Sequence, residues 1–113
     1  MSQITTHILD TSLGKPAADV PVKLSQKNGE DAWQTLAEGT TNTDGRVADL
    51  LPKETVLPVG IYKITFYTEG YFMSHKRSFF YPLVEIQFYV YDTSHYHVPL
   101  LLNPFGYSTY RGS

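Results

Sequence analysis

Hydrophobic and polar residues alternate along most of this chain. Apolar side chains occupy every second position in three segments, at residues 20–24, 62–66 and 84–90. A period of two is typical of β-strands that turn one face to a core and the other to solvent. Weaker forms of the same pattern predict further strands at residues 3–9, 33–38, 46–48, 96–102 and 105–110. The pattern as a whole predicts about eight strands.

Turn-forming residues separate these strands. Glycine and asparagine, which tolerate positive φ, mark turns at residues 13–16, 27–30, 43–46 and 58–60. The Asn28-Gly29 pair is the strongest hairpin signature among them. Residues 69–76 lack clean alternation and are predicted to hold one short helix. Many short strands, expected to be antiparallel, with no long helix predict an all-β fold, specifically a two-sheet β-sandwich.

Length and composition narrow the possible classes of protein. The chain fits a single domain over residues 1–113, long enough to bury about two-thirds of the surface of its extended form. The net charge is -2 and there is no basic run, so nucleic acid is not expected as a partner. The sequence has no cysteine, which excludes disulfides and a thiol nucleophile.

The sequence also lacks segments that direct a chain to a membrane. No apolar run approaches the roughly 18 residues that a membrane-spanning helix needs, so no membrane partner is expected. Residues 1–6 lack the basic and apolar regions of a secretory signal. We therefore expect a cytoplasmic protein.

The polar strand faces carry an unusual number of tyrosines. Tyr89 and Tyr91 lie on the polar side of their strand, and the chain has nine tyrosines in all. Amphipathic aromatic side chains are enriched at interfaces, and pairing with a symmetry mate closes exposed strand edges. We expect a homo-oligomer; the alternative is that these tyrosines pack over their own sheet.

The C-terminal end carries a strand-like pattern where most chains fray. Phe105, Tyr107, Thr109 and Arg111 continue the alternation almost to the free α-carboxylate of Ser113. Such an end is expected to be docked and to contribute its polar groups to a site. The alternative is a last strand followed by a solvated tail.

Two of the four histidines, His95 and His97, lie two residues apart. On a strand they share one face, and the same spacing is found in zinc sites. No cysteine and no third ligand at a matching spacing accompany them, so we expect no metal and instead an acid-base or hydrogen-bonding role. His75, in the irregular segment, is interpreted as an ordinary surface or core residue.

Few other groups are suited to bind or activate a substrate. Arg46 follows the Asp44-Gly45 turn, where its guanidinium can present paired donors to carbonyl or carboxylate oxygens. The chain has no Gly-x-Ser-x-Gly motif and no obvious carboxylate pair beside a histidine. Ser113 is the one serine in a suggestive position, and as a nucleophile it would need a nearby base.

Four motifs resemble the transthyretin-like family and, within it, the hydroxyisourate hydrolase branch. Residues 7–11 read HILDT, residues 41–46 read TNTDGR, residues 96–102 read YHVPLLL and residues 107–113 read YSTYRGS. The last two resemble the closing motif that separates the hydrolases from the hormone carriers. The motifs span essentially the whole chain.

The resemblance implies a two-sheet sandwich assembled as a homotetramer, a dimer of dimers, with active sites in a channel where the dimers meet. It implies that the catalytic residues are His7, Arg46, His97 and Ser113. It implies further that the substrate also contacts Tyr110, Arg111 and Gly112. His95 and Asn103 take no role from the resemblance.

The implied reaction is hydrolytic opening of the six-membered ring of 5-hydroxyisourate, the product of urate oxidation, to give 2-oxo-4-hydroxy-4-carboxy-5-ureidoimidazoline. No cofactor is implied. His7 or His97 is the expected base, while Arg46 and the chain end are expected to hold the substrate and stabilise negative charge.

Two other functions remain open: a carrier of a small aromatic ligand and a structural sandwich without a site. The histidines, Arg46 and the Arg-Gly-Ser end favour the hydrolase, because an apolar carrier site does not need them.

Overall fold

Nine strands and one short helix form across residues 2–113, which are the residues that the computed structural model describes; Met1, the start of the predicted polar segment, lies outside them. The elements are β1 (Ile4–Asp10), β2 (Lys15–Pro16), β3 (Pro21–Lys27), β4 (Trp33–Thr40), β5 (Arg46–Val47), β6 (Gly60–Phe66), α1 (Glu69–Ser74), β7 (Val84–Val90), β8 (Tyr96–Asn103) and β9 (Gly106–Thr109). The predicted all-β fold with one short helix is confirmed. The count of about eight rises to nine because a two-residue strand, β2, forms within the predicted turn at residues 13–16. The short strand predicted at residues 46–48 is the two-residue β5.

The strands form two sheets. One has the order β2-β1-β8-β9, with β5 also paired to β1, and the other has the order β4-β3-β6-β7. Alternation decides which side chains face the core: Tyr62, Ile64 and Phe66 of β6 are fully buried, as a period of two requires. Buried side chains of both sheets form one hydrophobic cluster. The predicted two-sheet β-sandwich is therefore confirmed.

One strand pair differs from the expectation of antiparallel strands. β1 and β8 run parallel, with Thr5 opposite His97 and His7 opposite Pro99. The remaining strand pairs are antiparallel. Alternation gives the faces of a strand but not its partner, and these two strands are separated by most of the chain. The parallel pair matters because it carries His7 and His97.

The turns follow the predicted chemistry at two key points. Gly29, with φ of 90°, lies in the loop between β3 and β4, and the Asn28 amide there donates to the Ala32 carbonyl at 2.8 Å. Gly45, with φ of 70°, precedes β5; a Cβ there would lie 2.5 Å from the Ile8 carbonyl oxygen. Only glycine fits a backbone with that φ pressed against β1.

A buried ionic cluster attaches α1 to the end of β1. The Tyr71 hydroxyl donates to the Asp10 carboxylate at 2.7 Å, and Arg77 forms an ion pair with the same carboxylate. Asp10 is completely buried. Burial alone would raise the pKa of Asp10, but hydrogen bonds from Ser12, Tyr71 and Arg77 outweigh it and hold that pKa below its usual value. Burial and the neighbouring carboxylate raise the pKa of Tyr71 to about 12.

The edge strand β7 presents an aromatic surface. Tyr89 and Tyr91 are 56% and 64% exposed, and their rings stack with centroids 5.2 Å apart. The predicted outward orientation of these two tyrosines is thus observed. Among residues 2–113, no helix has the length and apolarity to cross a membrane.

Candidate active site

The parallel pairing of β1 and β8 brings two imidazoles into contact. His7 Nδ1 and His97 Nε2 lie 2.6 Å apart, and the two rings stack with centroids 4.8 Å apart and an interplanar angle of 22°. Both side chains are half-buried. At this separation one ring donates a hydrogen bond to the other, so the pair shares one proton between the two nitrogens.

The turn before β5 places Arg46 beside this pair. The Asn42 side-chain oxygen accepts from the backbone amides of Asp44 and Arg46, at 2.9 and 3.0 Å, which folds residues 42–46 into a tight loop. The Ile8 amide donates to the Gly45 carbonyl at 2.8 Å. Arg46 then stands opposite His7 in the β1–β5 register.

The chain end docks against β8. After β9 ends at Thr109, the chain returns so that the Gly112 amide donates to the His97 carbonyl at 2.8 Å. The Arg111 guanidinium lies over the Tyr96 ring, 4.4 Å from its centroid. The Thr109 hydroxyl donates to the Pro99 carbonyl at 2.7 Å. The end is therefore attached to the strand that carries His97.

These groups surround one cavity of about 430 Å³, a volume suited to a small metabolite. Six of the seven residues expected at a site line it: His7, Arg46, His97, Tyr110, Gly112 and Ser113. Arg111 does not line it, because its side chain is turned onto Tyr96.

The electrostatics of the cavity favour neutral imidazoles. Burial lowers the pKa of His7, and the Arg46 charge lowers it further. Burial also lowers the pKa of His97, followed by the effects of His7, Arg46 and His95. Each cause disfavours the charged ring. The lowered pKa values favour neutral rings near neutral pH, and a neutral imidazole is what a general base requires.

The sequence analysis missed Thr5. It expected an acid-base or hydrogen-bonding role for His95 but did not place that residue among the site residues, yet both Thr5 and His95 line the cavity. The Thr5 hydroxyl lies 2.7 Å from His97 Nδ1 and 2.8 Å from His95 Nε2. Thr5 lies two residues before His7, so the alternation of β1 puts both on one face. The alternation of the sequence predicts that Thr5 and His7 share a face, but it does not predict that this face lies beside β8.

Within residues 2–113, no group of three or more His, Cys, Asp or Glu side chains is arranged to hold a metal ion. What the cavity offers is two coupled imidazoles, a guanidinium and the polar chain end. This set can remove a proton from water and stabilise an oxyanion.

Comparison with known proteins identifies the family of this chain. A sequence profile described as the HIUase/Transthyretin family matches residues 4–112. The chain belongs to the HIUase/Transthyretin family. The 5-hydroxyisourate hydrolase of Salmonella dublin is 46% identical over 111 residues, which cover 97% of this chain and 80% of that protein.

Solved structures of both branches of the HIUase/Transthyretin family have the same fold. The 5-hydroxyisourate hydrolase of Klebsiella pneumoniae superposes with a TM-score of 0.83 at 42% identity, covering 97% of this chain and 98% of that one. Sea bream transthyretin in complex with thyroxine superposes with a TM-score of 0.90 at 31% identity, covering 98% of this chain and 95% of that one. The fold alone therefore does not separate hydrolase from carrier, and the side chains of the site must.

Proposed function

We propose that this chain is a 5-hydroxyisourate hydrolase, acting in the breakdown of urate. It opens the six-membered ring of 5-hydroxyisourate with water to give 2-oxo-4-hydroxy-4-carboxy-5-ureidoimidazoline. The observation that carries the proposal is the hydrogen-bonded pair of His7 and His97 beside Arg46 in one cavity. The curated 5-hydroxyisourate hydrolases that match over nearly the whole chain support the same reaction.

The hydrogen bonds favour His7 as the base. Both ring nitrogens of His97 are engaged, Nδ1 by Thr5 and Nε2 by His7. Of the His7 nitrogens, among contacts within residues 2–113, Nδ1 alone is engaged in this way. His7 Nε2 therefore takes the proton of the attacking water, while His97 orients the His7 ring and shares the charge that develops on it. A positioned base of this kind contributes roughly 100- to 10,000-fold to a rate.

The bonds made and broken are those of amide hydrolysis. A carbon–oxygen bond forms at the ring carbonyl, and the carbon–nitrogen bond of the ring breaks. One water proton goes to the leaving nitrogen. Because the new carboxyl group is ionised at neutral pH, the second proton leaves the site as a free proton.

The remaining residues hold the substrate in this account. Arg46 donates to the oxygen that becomes negative. Tyr110, Gly112 and Ser113 close the cavity at the chain end, where Ser113 contributes its hydroxyl or α-carboxylate. Arg111 secures the end through its contact with Tyr96. No cofactor takes part.

We further propose the homotetramer, a dimer of dimers, that the sequence led us to expect. The stacked and exposed rings of Tyr89, on edge strand β7, and Tyr91, directly after it, support an interface between subunits. In this assembly a second dimer would complete the catalytic cavity as a channel. The single domain over residues 1–113 and the cytoplasmic location remain predictions.

A carrier of a small aromatic ligand is the weaker candidate. Its support is the shared fold of sea bream transthyretin. A cavity lined by three histidines and an arginine is more polar than binding an aromatic ligand requires.

The proposed activity is tested by the ultraviolet decay of freshly generated 5-hydroxyisourate. Wild-type protein should accelerate the decay above the spontaneous rate, and His97→Asn should lose most of that acceleration while its thermal unfolding stays near wild type. Folded wild-type protein without acceleration would contradict the hydrolase. In that case, saturable binding of an aromatic ligand would favour the carrier.

A further inference from the structure

A chain of four hydrogen-bonded groups leads from the catalytic cavity to a second surface depression. His7 Nδ1 lies 2.6 Å from His97 Nε2, and His97 Nδ1 lies 2.7 Å from the Thr5 hydroxyl. The same hydroxyl lies 2.8 Å from His95 Nε2. His95 is exposed and also lines a depression formed with Ser2, Gln3, Lys53, Thr55, Val56 and Thr93. His95 thus stands between the catalytic cavity and the solvent.

Each member of this chain can both give and receive a proton. In one arrangement, His7 donates to His97, His97 donates to Thr5, and the Thr5 hydroxyl donates to His95. In the other, every donor and acceptor is reversed. A hydroxyl has one donor and two acceptor sites, and a neutral imidazole has one of each, so both arrangements satisfy every nitrogen and oxygen that faces the chain. A proton that enters at His7 Nε2 can therefore leave at His95 Nδ1 without any side chain moving far.

The reaction supplies such a proton. Each turnover leaves one proton in excess, since the product carboxylate is ionised at neutral pH. If subunits cover the catalytic cavity, that proton needs a route other than the substrate entrance. We infer that Thr5 and His95 form the proton exit of the catalytic site, and that the Thr5 hydroxyl, hydrogen-bonded to His97 Nδ1, biases the tautomer balance of that ring.

The position of His95 is held by contacts independent of the relay. Gln3 donates to the carbonyls of Asp92 and Ser94, at 3.3 and 3.2 Å, and its side-chain oxygen accepts from the Leu57 amide at 2.8 Å. The Tyr96 amide donates to the Gln3 carbonyl at 2.8 Å. These bonds attach the loop before β8 to β1, so Thr5 and His95 can be altered while the loop stays in place.

Several charged or titratable groups face the relay and enter its pH dependence. His7 from β1, Arg46 from β5, His97 from β8, and Tyr110 with the Ser113 carboxylate from the chain end lie on the cavity side. Lys53 lies on the side of the depression. The cationic groups on either side oppose an accumulated proton, which favours its release to solvent.

Thr5 is tested by a matched pair of variants. Thr5→Val keeps the shape of the side chain and removes the hydroxyl, whereas Thr5→Ser keeps the hydroxyl. We expect Thr5→Val to lower kcat about tenfold or more and to shift the acid limb of its pH profile, while Thr5→Ser stays within a few-fold of wild type. Equal activity in Thr5→Val and wild type, or equal loss in both variants, would overturn the role of the hydroxyl.

His95 is tested by chemical rescue. We expect His95→Ala to lose activity in dilute buffer and to regain it as free imidazole is added, since imidazole in the exposed depression can take the proton from Thr5. Wild-type protein should not respond to imidazole. Full activity of His95→Ala in dilute buffer, or a loss that imidazole leaves unchanged, would contradict the exit.

The inference rests on the proposed hydrolase function, and the two are separable. Wild-type protein that does not accelerate 5-hydroxyisourate decay would remove both the function and the exit. If the wild-type protein is active and Thr5→Val has the same activity, the proton exit alone would be contradicted. Nitrogen-15 resonances of the imidazoles, recorded without substrate, provide a readout besides activity: Thr5→Val should change the tautomer balance of His97, and an unchanged balance would overturn its control by Thr5.

Discussion

At the scale of single residues, the proposed mechanism depends on two neutral imidazoles held in contact, those of His7 and His97. Burial and the Arg46 charge both lower the pKa of His7, and the same causes act on His97 together with the neighbouring rings. A lowered pKa keeps a histidine uncharged at the pH where it must accept a proton. The proposed base is therefore neutral and able to accept a proton, although its lowered pKa makes it a weaker base.

This account predicts the pH dependence of the activity. A group whose pKa is lowered stays neutral until the pH falls below its ordinary value of 6.5, so the acid limb of kcat/KM should have its midpoint below 6.5. Arg46→Gln should raise that midpoint, because it removes one of the charges, but only in part, since burial is the larger cause. The profile is measured with freshly prepared substrate. A wild-type midpoint above 6.5 would contradict the assignment of the base.

A second prediction at the residue scale concerns the effect of Gly112 on the position of His97. A Cβ at Gly112 would lie 2.7 Å from His97 Cδ2, so Gly112→Ala must displace the imidazole or the chain end. We expect activity to fall about 10- to 100-fold, the loss typical of a misplaced catalytic group. Gly106→Ala is the matched control, because a Cβ there meets nothing within 4 Å. Comparable kcat/KM values for the two variants would show that the position of His97 is not critical.

At the scale of elements, the sequence predicted the strands better than their partners. The alternating residues of β6 gave its buried face correctly, with Tyr62, Ile64 and Phe66 in the core. The parallel pairing of β1 with β8 could not be predicted, because a period of two fixes a face and leaves the neighbour open. Thr5 was missed for this reason, since only the pairing of β1 with β8 places its hydroxyl beside His97.

The helix is predicted to depend on one buried carboxylate. Tyr71→Phe removes a donor to Asp10, and a hydrogen bond to a charged group contributes about 1.5–3 kcal/mol, so urea unfolding should show a loss of that size. Glu85→Gln is the control: in its 3.2 Å ion pair with Lys63, the Glu85 side chain is about half exposed, unlike the fully buried Asp10, and the loss of the pair should cost about 1 kcal/mol or less. Equal losses would contradict a special role for the cluster.

The same cluster gives stability a defined dependence on pH. The pKa of Asp10 is lower in the folded chain than its ordinary value of 3.8. The stabilisation by this carboxylate is therefore fully present above pH 3.8 and is lost as the pH falls through the lower folded value.

At the scale of the whole molecule, the catalytic cavity and the aromatic edge belong to different parts of the fold. The cavity lies on the sheet that contains β1 and β8, while Tyr89 lies on β7 of the other sheet and Tyr91 directly follows that strand. In the tetramer that we propose, the aromatic edge would pair subunits into dimers and the sheet that carries the cavity would join the dimers. The motifs of the sequence implied this assembly, but no pattern in a single chain specifies how copies meet.

The proposed tetramer predicts a dependence of activity on concentration. If two dimers complete each site, specific activity should fall on dilution as dimers separate. Light scattering at each concentration gives the oligomeric state alongside the rate. Specific activity that stays constant down to a demonstrated dimer would contradict a site shared between dimers.

The central claim is that the docked chain end and the histidine pair form one hydrolytic site. Its most direct test is the ultraviolet decay of 5-hydroxyisourate with wild-type protein and with a variant lacking residues 110–113, each checked for folding by thermal unfolding. We predict acceleration by the wild type and none by the folded, truncated variant. Full acceleration by the truncated variant, or none by the wild type, would contradict the account.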